Sequence, residues 1–178
     1  MGILYRVRQF WRTISLKTDP HELEKAHAWL SAEQWEVFTQ LQPGEQDHAV
    51  TIFRKLQAQG EDQPDLLVAA LLHDIGKLRY RLNPLERVMV VLIKAVMPEE
   101  AQRVGCIPQD EWDSLPGWRK PFVLAEQHAE WGAGMARQLA VSPLTETLIR
   151  LHHQPHSPNA NDLERDMLHK LWLVDNES

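Results

Sequence analysis

The stretch from Asp65 to Leu72 constrains this chain more than any other. It reads Asp-Leu-Leu-Val-Ala-Ala-Leu-Leu, almost without a polar group, and runs directly into His73-Asp74-Ile75-Gly76-Lys77. A run this apolar is buried, and its Ala and Leu content favours helix over strand. It carries an imidazole and a carboxylate toward the core, where each is costly unless something satisfies it. A bound metal ion is one way to satisfy them. A hydrogen bond from the backbone is the simpler alternative.

The rest of the chain also reads as helix. Ile3, Leu4, Val7, Phe10, Trp11 and Ile14 recur at helical spacing beside Arg6, Arg8, Arg12 and Lys17. This basic amphipathic helix is either packed on its own domain or a peripheral contact to a membrane or partner through residues 3–16. Asp19-Pro20 opens a second helix to about Leu30, and Ser31 to Gln34 reads as the capping box of a third through Leu41. His21 and His27 lie there among charged residues and are expected at the surface.

After Pro43-Gly44, a helix puts Ala49, Ile52, Phe53 and Leu56 on one face, with His48 extending it by a turn and Gly60 as a stop. The apolar run follows the Gln63-Pro64 break. Another helix runs from Asn83-Pro84 to about Val96. Residues Glu99 to Pro121 hold Pro108, Pro116, Gly117, Trp112 and Trp118, and are expected to be irregular, as a lid or as a simple connection. A helix from about Phe122 to Ala140 aligns Leu124, His128, Trp131 and Met135. Ser142-Pro143 starts one that runs into His152-His153, and the last carries Leu168, Leu171, Trp172 and Asp175 on one face. No stretch reads as a useful strand, so the expected fold class is all-α.

Composition narrows the function. A net charge of −6 gives no basic surface for general nucleic-acid binding. The single cysteine, Cys106, allows neither a disulfide framework nor a Cys-rich zinc site, and fits a reduced, cytoplasmic setting. No signal-peptide core is seen at the N-terminus, and apolar runs such as Val88 to Ile93 are too short to span a bilayer.

Taken singly, His48, His128, His152 and Asp175 each read best as a hydrogen-bonded core residue. As a set they differ. With His73 and Asp74 they are six ligand-type residues on five helices, all on or beside apolar faces, and convergence on bound metal explains them together. Four imidazoles and two carboxylates suit iron, manganese, cobalt, nickel or zinc in a catalytic setting, with magnesium also compatible. Six donors exceed the need of one ion with an open position. Two ions, roughly 3.5–4 Å apart and sharing Asp74, would use them better.

The order His48, then His73-Asp74, then Asp175 resembles the signature of the HD-domain metal-dependent phosphohydrolases, over about Pro43 to Ser178. The resemblance implies an HD-domain helical bundle at residues 43–178, with extra N-terminal helices at 1–42 packed on it. It implies one metal on His48, His73, Asp74 and Asp175. The helix at His128 and the Ile149-Arg150-Leu151-His152 run match the segments that add two more His in binuclear members, so a binuclear centre bridged by Asp74 is implied. In HD-GYP relatives the Lys after His-Asp-x-Gly contacts substrate phosphate, which carries over to Lys77. No Gly-Tyr-Pro motif follows His152-His153 here, which argues against cyclic di-GMP as substrate and leaves the role of His153 open. The segment between Asp74 and His128 also looks longer than in the HD-family dinucleoside tetraphosphate hydrolases. The expected activity is hydrolysis of a phosphoester or phosphoanhydride of a nucleotide, with Asp74 and Lys77 in the catalytic site. The alternatives are a metal-stapled signalling or interaction module without turnover and, with less support, a di-iron oxygenase.

Overall fold

The computed structural model describes residues 19–158 and 160–178, so the amphipathic helix read at residues 3–14 lies outside the described residues. Nine α-helices are present among them: α1 (Pro20–His27), α2 (Ala32–Thr39), α3 (Pro43–Ala58), α4 (Pro64–Leu72), α5 (Pro84–Val96), α6 (Pro98–Gly105), α7 (Lys120–Gln138), α8 (Pro143–Leu151) and α9 (Asp162–Asn176). Short 3₁₀ helices cover Ile75–Arg79, Gln109–Ser114 and Gly117–Arg119. No strand occurs among the described residues, and the fold is all-α.

The helix starts follow from local chemistry. Pro20, Pro43, Pro64, Pro84, Pro98 and Pro143 each open a helix, where the missing N–H costs nothing and the fixed φ suits the first turn. Ser31, Asn83 and Asn161 close reciprocal capping boxes with Gln34, Glu86 and Glu164. Gly60 ends the α3 turn at φ 87°, a left-handed conformation that favours glycine.

The apolar helix α4 is the axis of the core. Leu66, Leu67, Ala69, Ala70, Leu71 and Leu72 are fully buried, and α3, α8 and α9 pack around them. Burial of each leucine side chain is worth roughly 1.5–3 kcal/mol. Ala26 and Leu30 at α1, and Phe38 and Leu41 at α2, join the same buried cluster as Phe53, Leu56, Leu148 and Leu168. Two smaller clusters lie beside it. One joins Trp112, Leu115, Val123, Leu124 and Trp131; the other joins Val90, Ala101 and Phe122.

One expectation is corrected. The segment from Glu99 to Pro121 is not irregular: most of it is α6 and two 3₁₀ turns. Pro98 ends α5 but also serves as the first residue of α6, so two helices abut across Met97. Glu99 and Glu100 favour its first turn and Arg103 its last, in line with the helix dipole. A proline suits the residue after a helix end and the first turn of a helix alike, and Pro98 does both. Trp112 is buried in this segment, whereas Trp118 is 61% exposed.

Candidate metal centre

Three histidines are aimed by hydrogen bonds to backbone carbonyls. His73 stands immediately past the end of α4 and its Nδ1–H donates to Ala70 O at 2.9 Å. His152 does the same past α8, donating to Ile149 O at 2.7 Å. Both rings therefore cap carbonyls that a helix end leaves without a partner. His128, inside α7, donates from Nδ1 to Leu124 O at 3.1 Å. A carbonyl can only accept, so Nδ1 carries the proton in all three, and in the neutral ring Nε2 presents a lone pair.

These Nε2 atoms point into one cluster. Asp74 lies at its middle, in the sparsely populated bridge region at φ −100°, ψ 4°, as the chain leaves α4 for the 3₁₀ helix. Its Oδ2 is 3.4 Å from His73 Nε2, and its Oδ1 is 3.3 Å from His128 Nε2. The two carboxylate oxygens thus face different histidines. Asp175 Oδ1 on α9 is 2.9 Å from His48 Nε2 on α3 and 3.9 Å from His73 Nε2. The His73 and His152 rings meet at 5.0 Å between centroids, and His128 and His152 at 5.4 Å.

All six residues singled out in the sequence as ligand types come together here. A seventh, His153, joins them. Its Nε2 is 3.2 Å from His128 Nε2, so either one nitrogen holds a proton or both face a shared cation. Donor atoms of His128, His152 and His153 lie within 4.8 Å of one another, as do those of His48, His73 and Asp74, and those of His73, His152 and Asp175. Adjacency to His152 at a helix end was the sequence signal for His153. Lys77 also reaches the cluster, with Nζ 2.5 Å from Asp74 Oδ2. Glu45 went unmarked in the sequence. It is buried at the start of α3, where it completes the N-terminal capping box and pairs with Arg87 Nη2 at 2.7 Å.

The electrostatics favour a cation. Burial would raise the Asp74 carboxyl, but the positive charge of Lys77 and the facing His73 and His128 imidazoles hold it well below the usual carboxylate range. Burial likewise opposes ionisation of Asp175, and the hydrogen bond and charge of His48 with the charge of His73 overcome it and lower that carboxyl. Both stay ionised. Burial pulls His73 down, yet Asp74 and then Asp175 outweigh it and raise this imidazole, so the field at Nε2 draws positive charge. His152 is pushed well below its ordinary value by burial and then by His153, His73 and His128, and stays neutral.

The donor set fits a divalent ion on direct grounds. Nε2 of His73 and Nε2 of His152 are buried without a hydrogen-bond partner among the described residues. Orphaned buried polar atoms are rare because each costs about 1–3 kcal/mol. Two in one cluster, both with their other nitrogen pinned to a carbonyl, match the way ligating histidines are oriented from behind.

Fold and site together define an all-helical domain built around a His/Asp cluster compatible with divalent metal. The chain belongs to the HD domain family, whose pattern it matches over residues 46–172. That family includes metal-dependent phosphohydrolases. No curated protein and no solved structure matches the chain. No helix among the described residues is long and apolar enough to cross a membrane.

Proposed function

We propose that this protein is a metal-dependent phosphohydrolase acting on a phosphoester or phosphoanhydride of a nucleotide. The observation that carries this reading is the Asp74 carboxylate, whose two oxygens face His73 and His128 separately while the Nε2 atoms of His73 and His152 lack partners. In this reading His48, His73, Asp74 and Asp175 hold one ion. His128, His152 and His153, with Asp74, would hold another. When bound, such ions lower the pKa of a water and neutralise charge on phosphoryl oxygens.

The chain's own groups do the rest. Ala70, Leu124 and Ile149 carbonyls fix the three rings, so the donors need little reorganisation on loading. Lys77 stays protonated: burial opposes its charge, but Asp74, Glu45 and Asp175 raise it. Its side chain is 29% exposed at the rim of the cluster, where it supplies a fixed positive charge for a phosphate oxygen. Asp175 orients the His48 ring by accepting from, or sharing a cation with, Nε2.

The experiment is a phosphatase and phosphodiesterase screen on metal-loaded protein, with metal content measured in parallel. Activity should track metal content, vanish with chelator and vanish in Asp74→Ala. Full turnover by Asp74→Ala on the best substrate would sink the mechanism. Tight metal binding with no turnover on any phosphate compound would favour the non-catalytic module.

A further inference from the structure

One group of charged residues is not used by the metal cluster. Arg79 ends the 3₁₀ helix that begins just after Asp74, and its Cζ lies 4.5 Å from the Trp131 ring centroid and 5.2 Å from that of Trp112. Lys120 Nζ lies 5.3 Å from the Trp112 centroid. The two indoles meet edge to face at 5.0 Å. Two cations therefore share one aromatic pair.

Neither cation has a carboxylate partner among the described residues, whereas Arg87, Arg103, Arg137, Arg150 and Arg165 all do. In a chain of net charge −6, two unpaired like charges on the same ring are unusual and repel each other. Stacking on indole orders the Arg79 guanidinium while the residue remains exposed, so its fork of donors is held out to solvent. Trp131 Nε1, at the edge of its ring, is a buried donor without an acceptor among the described residues.

The location relative to the metal cluster follows from the helices. Trp131 lies three residues after His128 on α7, about one turn along. Arg79 lies five residues after Asp74 through a 3₁₀ helix, about 10 Å along its axis. Gly76, between them, sits directly against the α7 backbone at His128 and Gly132. The platform is thus a rigid continuation of the two elements that carry Asp74 and His128.

We propose that Arg79, assisted by Lys120 and held on Trp112 and Trp131, is a specificity-determining subsite beside the metal cluster for a second phosphate of the substrate. The inference rests on the phosphohydrolase reading and narrows its substrate class to molecules carrying two separated phosphate groups. Trp112 comes from the segment between α6 and α7, so that segment forms one wall of the subsite.

Calorimetric titration of the metal-loaded full chain with hexyl phosphate and with hexane-1,6-diol bisphosphate tests it, because the two probes differ by one distal phosphate. The bisphosphate should bind about tenfold tighter or more, as expected for a charge-assisted hydrogen bond to phosphate. In Arg79→Gln and, to a lesser extent, Lys120→Ala that ratio should collapse toward one while the affinity for hexyl phosphate stays unchanged. A ratio near one in the unaltered protein overturns the subsite and leaves the metal reading standing. So does an unchanged ratio in Arg79→Gln and Lys120→Ala, either of which suffices should the other fail to fold. If neither probe binds in a metal-dependent way, both readings fall.

Discussion

Replacing Gly76 with alanine should uncouple the two halves of the metal cluster. An added Cβ would lie 1.9 Å from His128 O, 2.7 Å from Gly132 N and 2.8 Å from His128 C. The closest comfortable carbon–oxygen approach is about 3.3 Å. The 3₁₀ helix and α7 must therefore separate by on the order of 1.4 Å, and the obstructing atoms are backbone. Overpacking of this kind costs about 1–3 kcal/mol, and a backbone-to-backbone clash belongs at the upper end. For a chain of this length, about 3 kcal/mol lowers Tm by roughly 6–12 °C. The same separation lengthens the 3.3 Å approach of His128 Nε2 to Asp74 Oδ1. Metal content should fall with it. Gly134→Ala is the control, because it lies in the interior of α7 with nothing within 4 Å of the added Cβ. It should gain about 0.5–1 kcal/mol from helix propensity, or roughly 1–4 °C. Thermal melts and metal analysis of both variants decide the matter. A Gly76→Ala protein with unchanged Tm and full metal content would refute the claim that this close approach sets the cluster's geometry.

Further outcomes can be checked independently. Asp65→Ala removes the acceptor that Ser142 and Thr145 Oγ1 share at the start of α8, and should cost about 1–2 kcal/mol by urea unfolding while leaving metal content intact. Loading with a divalent ion at one hundred times its Kd should raise stability by about 2.7 kcal/mol, roughly 5–11 °C in Tm, and chelator should reverse it; a Tm indifferent to metal would speak against the cluster as a binding site. The metal-free chain should lose stability in acid. His152 is neutral when folded, and burial together with His128 lowers His153 to about 4 from 6.5. Stability from these depressed groups is present above pH 6.5 and is lost as pH falls toward the folded values, because the unfolded rings take up protons first. His73, which is raised, acts in the opposite sense and stabilises below 6.5. His153→Gln should therefore flatten the decline in urea midpoint between pH 6.5 and 4, and an unchanged slope would remove His153 from that account.

Sequence alone determined the elements. Period and caps marked nearly every helix, because Pro, Ser, Asn and Gly act within a turn of where they stand. Ser31 caps α2 through the box with Gln34 that its spacing predicts, and Gly60 stops α3 as expected. The same local logic failed at Pro98, where one residue both ends and begins a helix. Candidate ligands were also legible, since a His or Asp on an apolar face stands out whatever surrounds it.

What the sequence left open was set by packing between distant segments. Nothing local says that His48 and Asp175, 127 positions apart, meet at 2.9 Å. Nor does spacing show that Ala70, Leu124 and Ile149 carbonyls turn three Nε2 lone pairs inward, or that His153 folds back onto His128. Nothing near Arg79 in the chain marks it as stacked; Trp112 and Trp131 come to it from 33 and 52 residues away. The direction of a side chain and the charge around it depend on neighbours that only the folded chain supplies, and those two quantities separate a set of buried polar residues from a site.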